Sequence, residues 1–445
     1  MVDFAVGEPA KIGRAAWTSL LILTFLYVLY FIDKQIFALL TNTLEGELGF
    51  SDTQIGVLQG FVYATPYSIG LLIMGILVDR YPRRLLLAGG VLLWSLAAAA
   101  SGLATSFQSM ALARMFVGLG EAAMVPVGMS ILASLFPRDR LSMATGVFYS
   151  GTTLGGVVAL LLGGAALGAL VRSGGMTFPF LGHVEPWRAG FLLTGLPGVA
   201  AAWLAFAIPI DDRGRTAIGA YADKAAGRSG FVAYLRANWR YLACYCAAYT
   251  VMLVTAFTNI AWAAPYFGRA FHWDHEVIGA VVATGMGFAF AGNILWGHLS
   301  DHMVRRGRRD AVFRVFIGLV LAGIPLCAAA FLVRNPMVCV PAFALGSMVY
   351  NGFGCLMSPL QLAAPAHLRG RLTGLFALVS GLVGLGIGPA LAGLLTDHLF
   401  HDRNMLGSAI VISIAGSSVI MAALLGLARS GYVRALAAQN EGIAA

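Results

Sequence analysis

Apolar stretches of roughly 20 residues or more recur twelve times along the 445-residue chain, with polar breaks between them. An α-helix rises about 1.5 Å per residue, so about 20 apolar residues cross the hydrocarbon core of a bilayer. The pattern predicts six spans at about 15–41, 55–78, 85–105, 107–134, 141–171 and 187–209. Six more are predicted at about 239–268, 277–299, 311–333, 336–362, 371–397 and 405–428. Polar and apolar residues do not alternate within them, as they would in the strands of a membrane barrel. The expected fold is an all-α polytopic membrane protein with twelve transmembrane helices. One longer polar stretch, from Asp211 to about Arg236, sits mid-chain and reads as a linker. The predicted division is a first six-helix bundle over 1–209, a linker over 210–237 and a second bundle over 238–445.

The halves repeat each other. Gly75-Ile-Leu-Val-Asp79-Arg80-Tyr-Pro-Arg83-Arg84 follows span two, and Gly297-His-Leu-Ser-Asp301-His-Met-Val-Arg305-Arg306 follows span eight, both glycine and aspartate shifted by 222 residues. Spans five and eleven are both glycine-rich, with Gly151, Gly155 and Gly156 in one and Gly381, Gly384 and Gly388 in the other. Glycine lets membrane helices approach closely. An aspartate in such a loop can accept N–H bonds at a neighbouring helix N-terminus, where negative charge is favoured. A plain basic turn would not need it. Repeated halves are common in secondary transporters.

Composition agrees with a membrane protein: 59% of residues are hydrophobic and 11% charged, against about 25% charged in soluble domains. The net charge of +9 invites a nucleic-acid reading. Its distribution removes that reading. With the N-terminus in the cytoplasm, 22 basic residues fall in cytoplasmic loops and termini and five on the other side, the bias of the positive-inside rule. Both termini and the linker are expected in the cytoplasm. Of the three lysines, Lys11, Lys34 and Lys224, none completes a Gly-Lys-Ser/Thr phosphate loop, so no ATP motor of that kind is expected. The five cysteines lie in apolar stretches without a Cys-x-x-Cys pair and read as small buried hydrophobes. The eight histidines fall at span ends or in loops. No metal and no cofactor are expected. Arginine in place of lysine, with much alanine and glycine, suggests a bacterial inner membrane.

Three charges well inside spans are expected to be buried together: Asp33 in the first, Arg114 and Glu121 in the fourth. Arg114 and Glu121 are spaced i, i+7, on one helix face and roughly 10 Å apart. Each is costly in hydrocarbon. Asp33 and Arg114 lie at matching depths below the outer ends of their spans and are expected to pair; Glu121 lies one heptad deeper. A permanent positive charge between two acids makes a proton-responsive site, because low dielectric favours the neutral acid and a nearby arginine favours the anion. A triad that only ties helices together is the plainer alternative. Arg114 can also clamp a carboxylate or phosphate. Neutral candidates for the second half of a binding cavity are Tyr249, Thr255, Asn259, Trp262, Tyr350 and Asn351, each with ordinary helix packing as its alternative.

The Gly75–Arg84 loop resembles the loop 2–3 signature of the major facilitator superfamily, and 297–309 resembles its second-half copy. Leu112-x-Arg114…Gly118-x-Gly120 resembles that superfamily's helix 4 motif. Further stretches resemble its Spinster-like branch: Tyr30-Phe-Ile-Asp33-Lys34-Gln35, Gly49-Phe-Ser51-Asp52-Thr-Gln54-Ile-Gly56, Gly120-Glu121-Ala122…Pro126 and Trp262…Pro265…Arg269. Two positions depart from the pattern: Lys34 stands where an arginine is common, and Tyr81-Pro82 where an aromatic or other residue precedes glycine. The resemblance implies two bundles rocking around a central cavity lined by helices 1, 4, 7 and 10. It also implies an inter-bundle latch of Asp79, Arg80 and Arg84, with Asp301 as its weaker copy.

The expectation is a monomeric, proton-coupled secondary transporter, not an enzyme. Its substrate is expected to be an amphiphilic anion such as a lysolipid or sphingoid phosphate. The proton sites are Asp33 and Glu121, and the substrate contacts are Arg114 and the second-half residues. Protons and membrane lipids complete the expected partners. Carriage of a small organic anion or drug, and a non-transporting receptor or scaffold, are the alternatives.

Overall fold

The computed structural model describes residues 13–179, 182–210, 228–308, 310–350, 356, 359–360, 362–365 and 368–444. Eleven helices among them are long and apolar enough to cross a membrane. In the first half these are α1 (Arg14–Leu48), α2 (Asp52–Leu77), α3 (Arg83–Ser101), α4 (Phe107–Leu135), α5 (Met143–Arg172) and α6 (Pro186–Ala207). In the second half they are α7 (Phe231–Phe271), α8 (His275–Arg305), α9 (Ala311–Leu332), α11 (Leu372–Phe400) and α12 (Arg403–Ala437). The tenth predicted span is described as helix from Pro336 to Tyr350, here α10, and residues 351–355 lie outside the description. The chain is a multi-pass membrane protein. A short antiparallel hairpin of β1 (Met176–Phe178) and β2 (Gly182–Val184) joins α5 to α6. It marks one end of the molecule, the hairpin end; Asp79 and Asp301 mark the other. Helix is already present from Arg228, so part of the predicted 210–237 linker is helical, and 211–227 lie outside the description.

Local sequence sets the element ends. Gly49 closes α1 in the left-handed conformation, at φ 68°, which glycine adopts without a Cβ clash. Ser51 then caps α2: its hydroxyl accepts from Gln54 N, and the Gln54 side chain accepts from Ser51 N, a reciprocal capping box. Two spans are broken inside. α2 breaks at Gly60, and α4 breaks at Ala122–Ala123, directly after Glu121.

The buried apolar residues form three clusters. One is drawn entirely from the first half, around Leu20, Tyr27, Trp94 and Phe148. A second is drawn entirely from the second half, around Tyr241, Phe313, Leu372 and Tyr432. The third mixes both halves, joining Phe37, Leu40 and Phe191 to Trp262, Phe267 and Phe343. Glycines locate this joint core. A Cβ on Gly60 would lie 2.3 Å from Gly386 O, and one on Gly279 would lie 2.0 Å from Leu160 O. Toward the Asp79 end, Gly75, Gly146, Gly287, Gly374 and Gly381 face open space instead. The bundles are therefore packed together along α2–α11 and α5–α8 at the hairpin end and parted at the other.

Candidate functional site

On α1, Tyr30, Asp33, Lys34 and Phe37 share one face through their i, i+3, i+4 and i+7 spacing. That face meets α4. Arg114 Nη1 donates to Asp33 Oδ2 at 2.7 Å, with both side chains almost wholly buried. The Arg114 guanidinium also lies 4.7 Å from the centre of the Phe37 ring, a cation–π distance. The expected Asp33–Arg114 contact is present.

Glu121 has a different counterion from the one expected. Lys34 Nζ lies 3.4 Å from Glu121 Oε2. The Tyr63 hydroxyl donates to the same oxygen. Lys34 also donates to the Tyr30 hydroxyl at 2.6 Å, and the Tyr30 and Tyr63 hydroxyls are 3.4 Å apart. The ammonium stands over the Tyr30 and Tyr63 rings, 4.1 and 4.7 Å from their centres. The site is thus two cations and two anions in balance, not one cation between two acids. One oxygen of each acid, Asp33 Oδ1 and Glu121 Oε1, is buried without a hydrogen bond among the described residues. Exposure separates the two pairs: Lys34 is 15% exposed, Glu121 0%, Arg114 3% and Asp33 5%.

Small residues bring these groups together. A Cβ on Gly118 would lie 2.5 Å from Tyr63 O, and one on Gly120 would lie 2.6 Å from Trp94 N. The Gly118-x-Gly120 motif therefore lets α4 press against α2 and α3 at once. Tyr63 reaches Glu121 because Gly118, one turn earlier on α4, admits the α2 backbone. The sequence showed Tyr30 and Lys34 within a motif but gave neither them nor Tyr63 a role; the available signal was the i, i+4 pairing of Tyr30 with Lys34 beside an intramembrane aspartate.

The second-half candidates are scattered. Asn259 is buried, with Oδ1 unpaired among the described residues. Tyr249 is buried in the second-half cluster. Trp262 is fully buried and donates Nε1 to Pro389 O at 2.8 Å, so in this state it ties α7 to α11 and lines no open space. Tyr350 packs on α9 at Gly323. Asn351 lies outside the described residues. Of the latch candidates, Asp79, Arg80 and Asp301 are exposed, and Arg84 donates to Ile210 O just after α6. Asp79 and Asp301 reach no partner helix in this state, because the bundles are parted there.

The hairpin end holds a second charged cluster, which joins the halves. Arg269 of α7 donates to Asp52 at 2.9 and 2.7 Å, to Glu45 at 2.6 Å and to Asn42 at 3.0 Å. Thr53 N donates to Asp397 of α11 at 2.7 Å, and Arg403 donates to Phe50 O at 3.0 Å. These bonds close that end with α1 and α2 on one side and α7, α11 and α12 on the other.

A doubled helical architecture, repeated glycine-aspartate loops and charges between α1 and α4 meet their counterpart in sequence comparison. The sequence matches the Major Facilitator Superfamily over residues 23–389 and again over 250–441. The chain belongs to this superfamily. It is a transporter. A probable L-galactonate transporter of Escherichia coli (strain K12) is 28% identical over 435 residues, covering 93% of this chain and 90% of the relative. An MFS-type efflux pump of Mycolicibacterium smegmatis (strain ATCC 700084 / mc(2)155) is 26% identical over 432 residues, covering 95% and 94%. In fold the chain is similar to a bacterial homolog of the human lysosomal transporter Spinster, solved in an inward-facing and unoccupied conformation. That likeness has a TM-score of 0.75 at 24% identity, covering 95% of this chain and 97% of the other.

Proposed function

We propose that this transporter carries an organic anion together with a proton by alternating access, with Lys34 meeting the substrate and Glu121 taking the proton. The observation that carries the reading is the Lys34–Glu121 pair, in which the cation is partly exposed and the acid fully buried. When Glu121 is ionised it competes with any substrate anion for the Lys34 ammonium. A proton on Glu121 removes that competition, so proton and substrate bind together. The more fully buried Asp33–Arg114 pair holds the α1–α4 contact in register beside it, and the unpaired Asp33 Oδ1 offers a second proton position. The excess of basic residues around the Asp79 end supports a cytoplasmic assignment for it, with both termini and the linker. This state then faces the cytoplasm, and closure of that end brings Asp79, Arg80 and Arg84 to α11 and Asp301 to α5. The bundles 1–209 and 238–445 are the rocking units.

The 28% identical galactonate transporter supports a small sugar acid as substrate. A second reading is an amphiphilic anion such as a lysolipid or sphingoid phosphate. It is favoured by α7, which carries no charged side chain between Arg240 and Arg269 and offers a tail an apolar wall. Proteoliposomes holding a pH-sensitive dye test both. Galactonate or lysophosphatidic acid is added, and substrate-evoked proton entry is followed. Entry with one of them, lost in Glu121→Gln, is expected. Proton entry unchanged in both Glu121→Gln and Asp33→Asn refutes the coupling.

A further inference from the structure

An arginine-rich surface lies on the second bundle, formed by residues other than the α1–α4 charges. Two grooves meet there at Ser430 and Arg434 of α12. The first, of about 830 Å³, runs between the start of α7 and the end of α12, and Trp239, Tyr241, Ala243, Cys244 and Leu427 line it. The second, of about 760 Å³, lies at the α8–α9 turn, and Arg308, Asp310, Arg314, Arg429 and Arg434 line it. With Arg240 in the first groove, five arginines face one aspartate.

The aspartate engages two of them. Arg314 Nε lies 2.9 Å from Asp310 Oδ2, and Arg429 donates to the same oxygen. Burial pushes the Asp310 carboxyl up, but the hydrogen bonds from Arg314 and Arg429 outweigh it and hold it below the usual carboxylate range. It therefore stays ionised and neutralises part of that pair. The guanidinium groups of Arg308 and Arg434 make no hydrogen bond or ion pair among the described residues. Arg240 rests against the exposed Trp239 ring, 5.5 Å from its centre.

The shape and the chemistry change along the groove in the same direction. Exposed Arg308 and Arg434 stand at one end, by the α8–α9 turn. Exposed Trp239 and Leu427 stand at the other, 60% and 68% accessible. Tryptophan favours the headgroup boundary, and arginine forks match phosphate oxygens. We infer that this groove binds one anionic phospholipid of the leaflet at the Asp79 end, with its phosphate on Arg308 and Arg434 and an acyl chain along Trp239 and Leu427. The lipid would bridge α7, α9 and α12 from outside, independently of the transported anion.

The test is native mass spectrometry of the full chain released from micelles doped with phosphatidylglycerol or phosphatidylcholine. Phosphatidylglycerol retained at least tenfold better, with that preference lost in the double variant Arg308→Gln/Arg434→Gln, is the expected result. Trp239→Ala should weaken retention of both lipids and spare the preference. Both substituted arginines are exposed and unbonded among the described residues, so the thermal unfolding midpoint without lipid should not change. Equal retention of the two lipids overturns the inference. So does a preference that the double variant keeps, or one abolished by millimolar inorganic phosphate, which would make this a free-phosphate site.

Discussion

Lys34 is the residue on which the proposed chemistry turns. Its ammonium is held by Glu121, by the Tyr30 hydroxyl and by the faces of two tyrosine rings, so protein groups already replace much of its hydration before a substrate arrives. An anion that binds it replaces one carboxylate by another at little extra desolvation cost. Removing the charge forfeits a charged hydrogen bond of about 1.5–3 kcal/mol. Lys34→Ala should therefore weaken anion binding by roughly 10- to 100-fold, read by calorimetry or tryptophan quenching. Lys34→Arg should recover part of it, since the charge is kept and only the reach changes. Glu121→Gln mimics the protonated acid. It should bind the anion with little dependence on pH while losing proton entry; binding that stays strongly pH-dependent in this variant would move the proton site elsewhere.

Glycine spacing decides how the elements meet. Gly118 and Gly120 sit where α4 touches backbone atoms of α2 and α3. A methyl there cannot be absorbed by a side-chain rotation, because the facing atoms are main chain. Gly118→Ala should destabilise the protein by about 1–3 kcal/mol and lower its thermal midpoint, while Gly75→Ala, facing open space, should not. Spans, repeat and glycine motif were all legible from the chain, because burial in lipid imposes a simple length and composition rule. The broken helices were not. α2 breaks at Gly60 and α4 beyond Glu121, and a glycine or alanine pair in an apolar run carries no sign of which helix will press on it.

Over the whole molecule, the hairpin end is closed and the Asp79 end parted, which under the proposed alternating access is one of two states. Arg269 is the cross-link of the closed end, and its partners Glu45 and Asp52 are 4% and 0% exposed. Removing it leaves two buried acids facing each other, a cost of about 3–5 kcal/mol for breaking such a group. Arg269→Ala should shift the population toward opening at the hairpin end, seen as longer spin-label distances between Gln54 and Asp402. Shorter or unchanged distances there would show that the apolar core and the remaining Asp397 and Arg403 bonds hold the closure without Arg269. Asp79→Asn should act on the opposite state, slowing transport while leaving anion binding intact; loss of binding would sink the latch role.

The sequence by itself determined the membrane class, the span lengths, the duplication and the presence of intramembrane charges, because each follows from one-dimensional patterns of hydropathy, charge and repeat. It also brought Asp33 and Arg114 to the same depth, since helical rise converts residue counts into height. Only the tertiary structure decided that Lys34 pairs with Glu121, which charges water reaches and which end is closed. Those depend on helix rotation and on contacts between residues far apart in the chain. Lys34 meets Glu121 across 87 positions and Arg269 meets Glu45 across 224, and no local pattern carries that information.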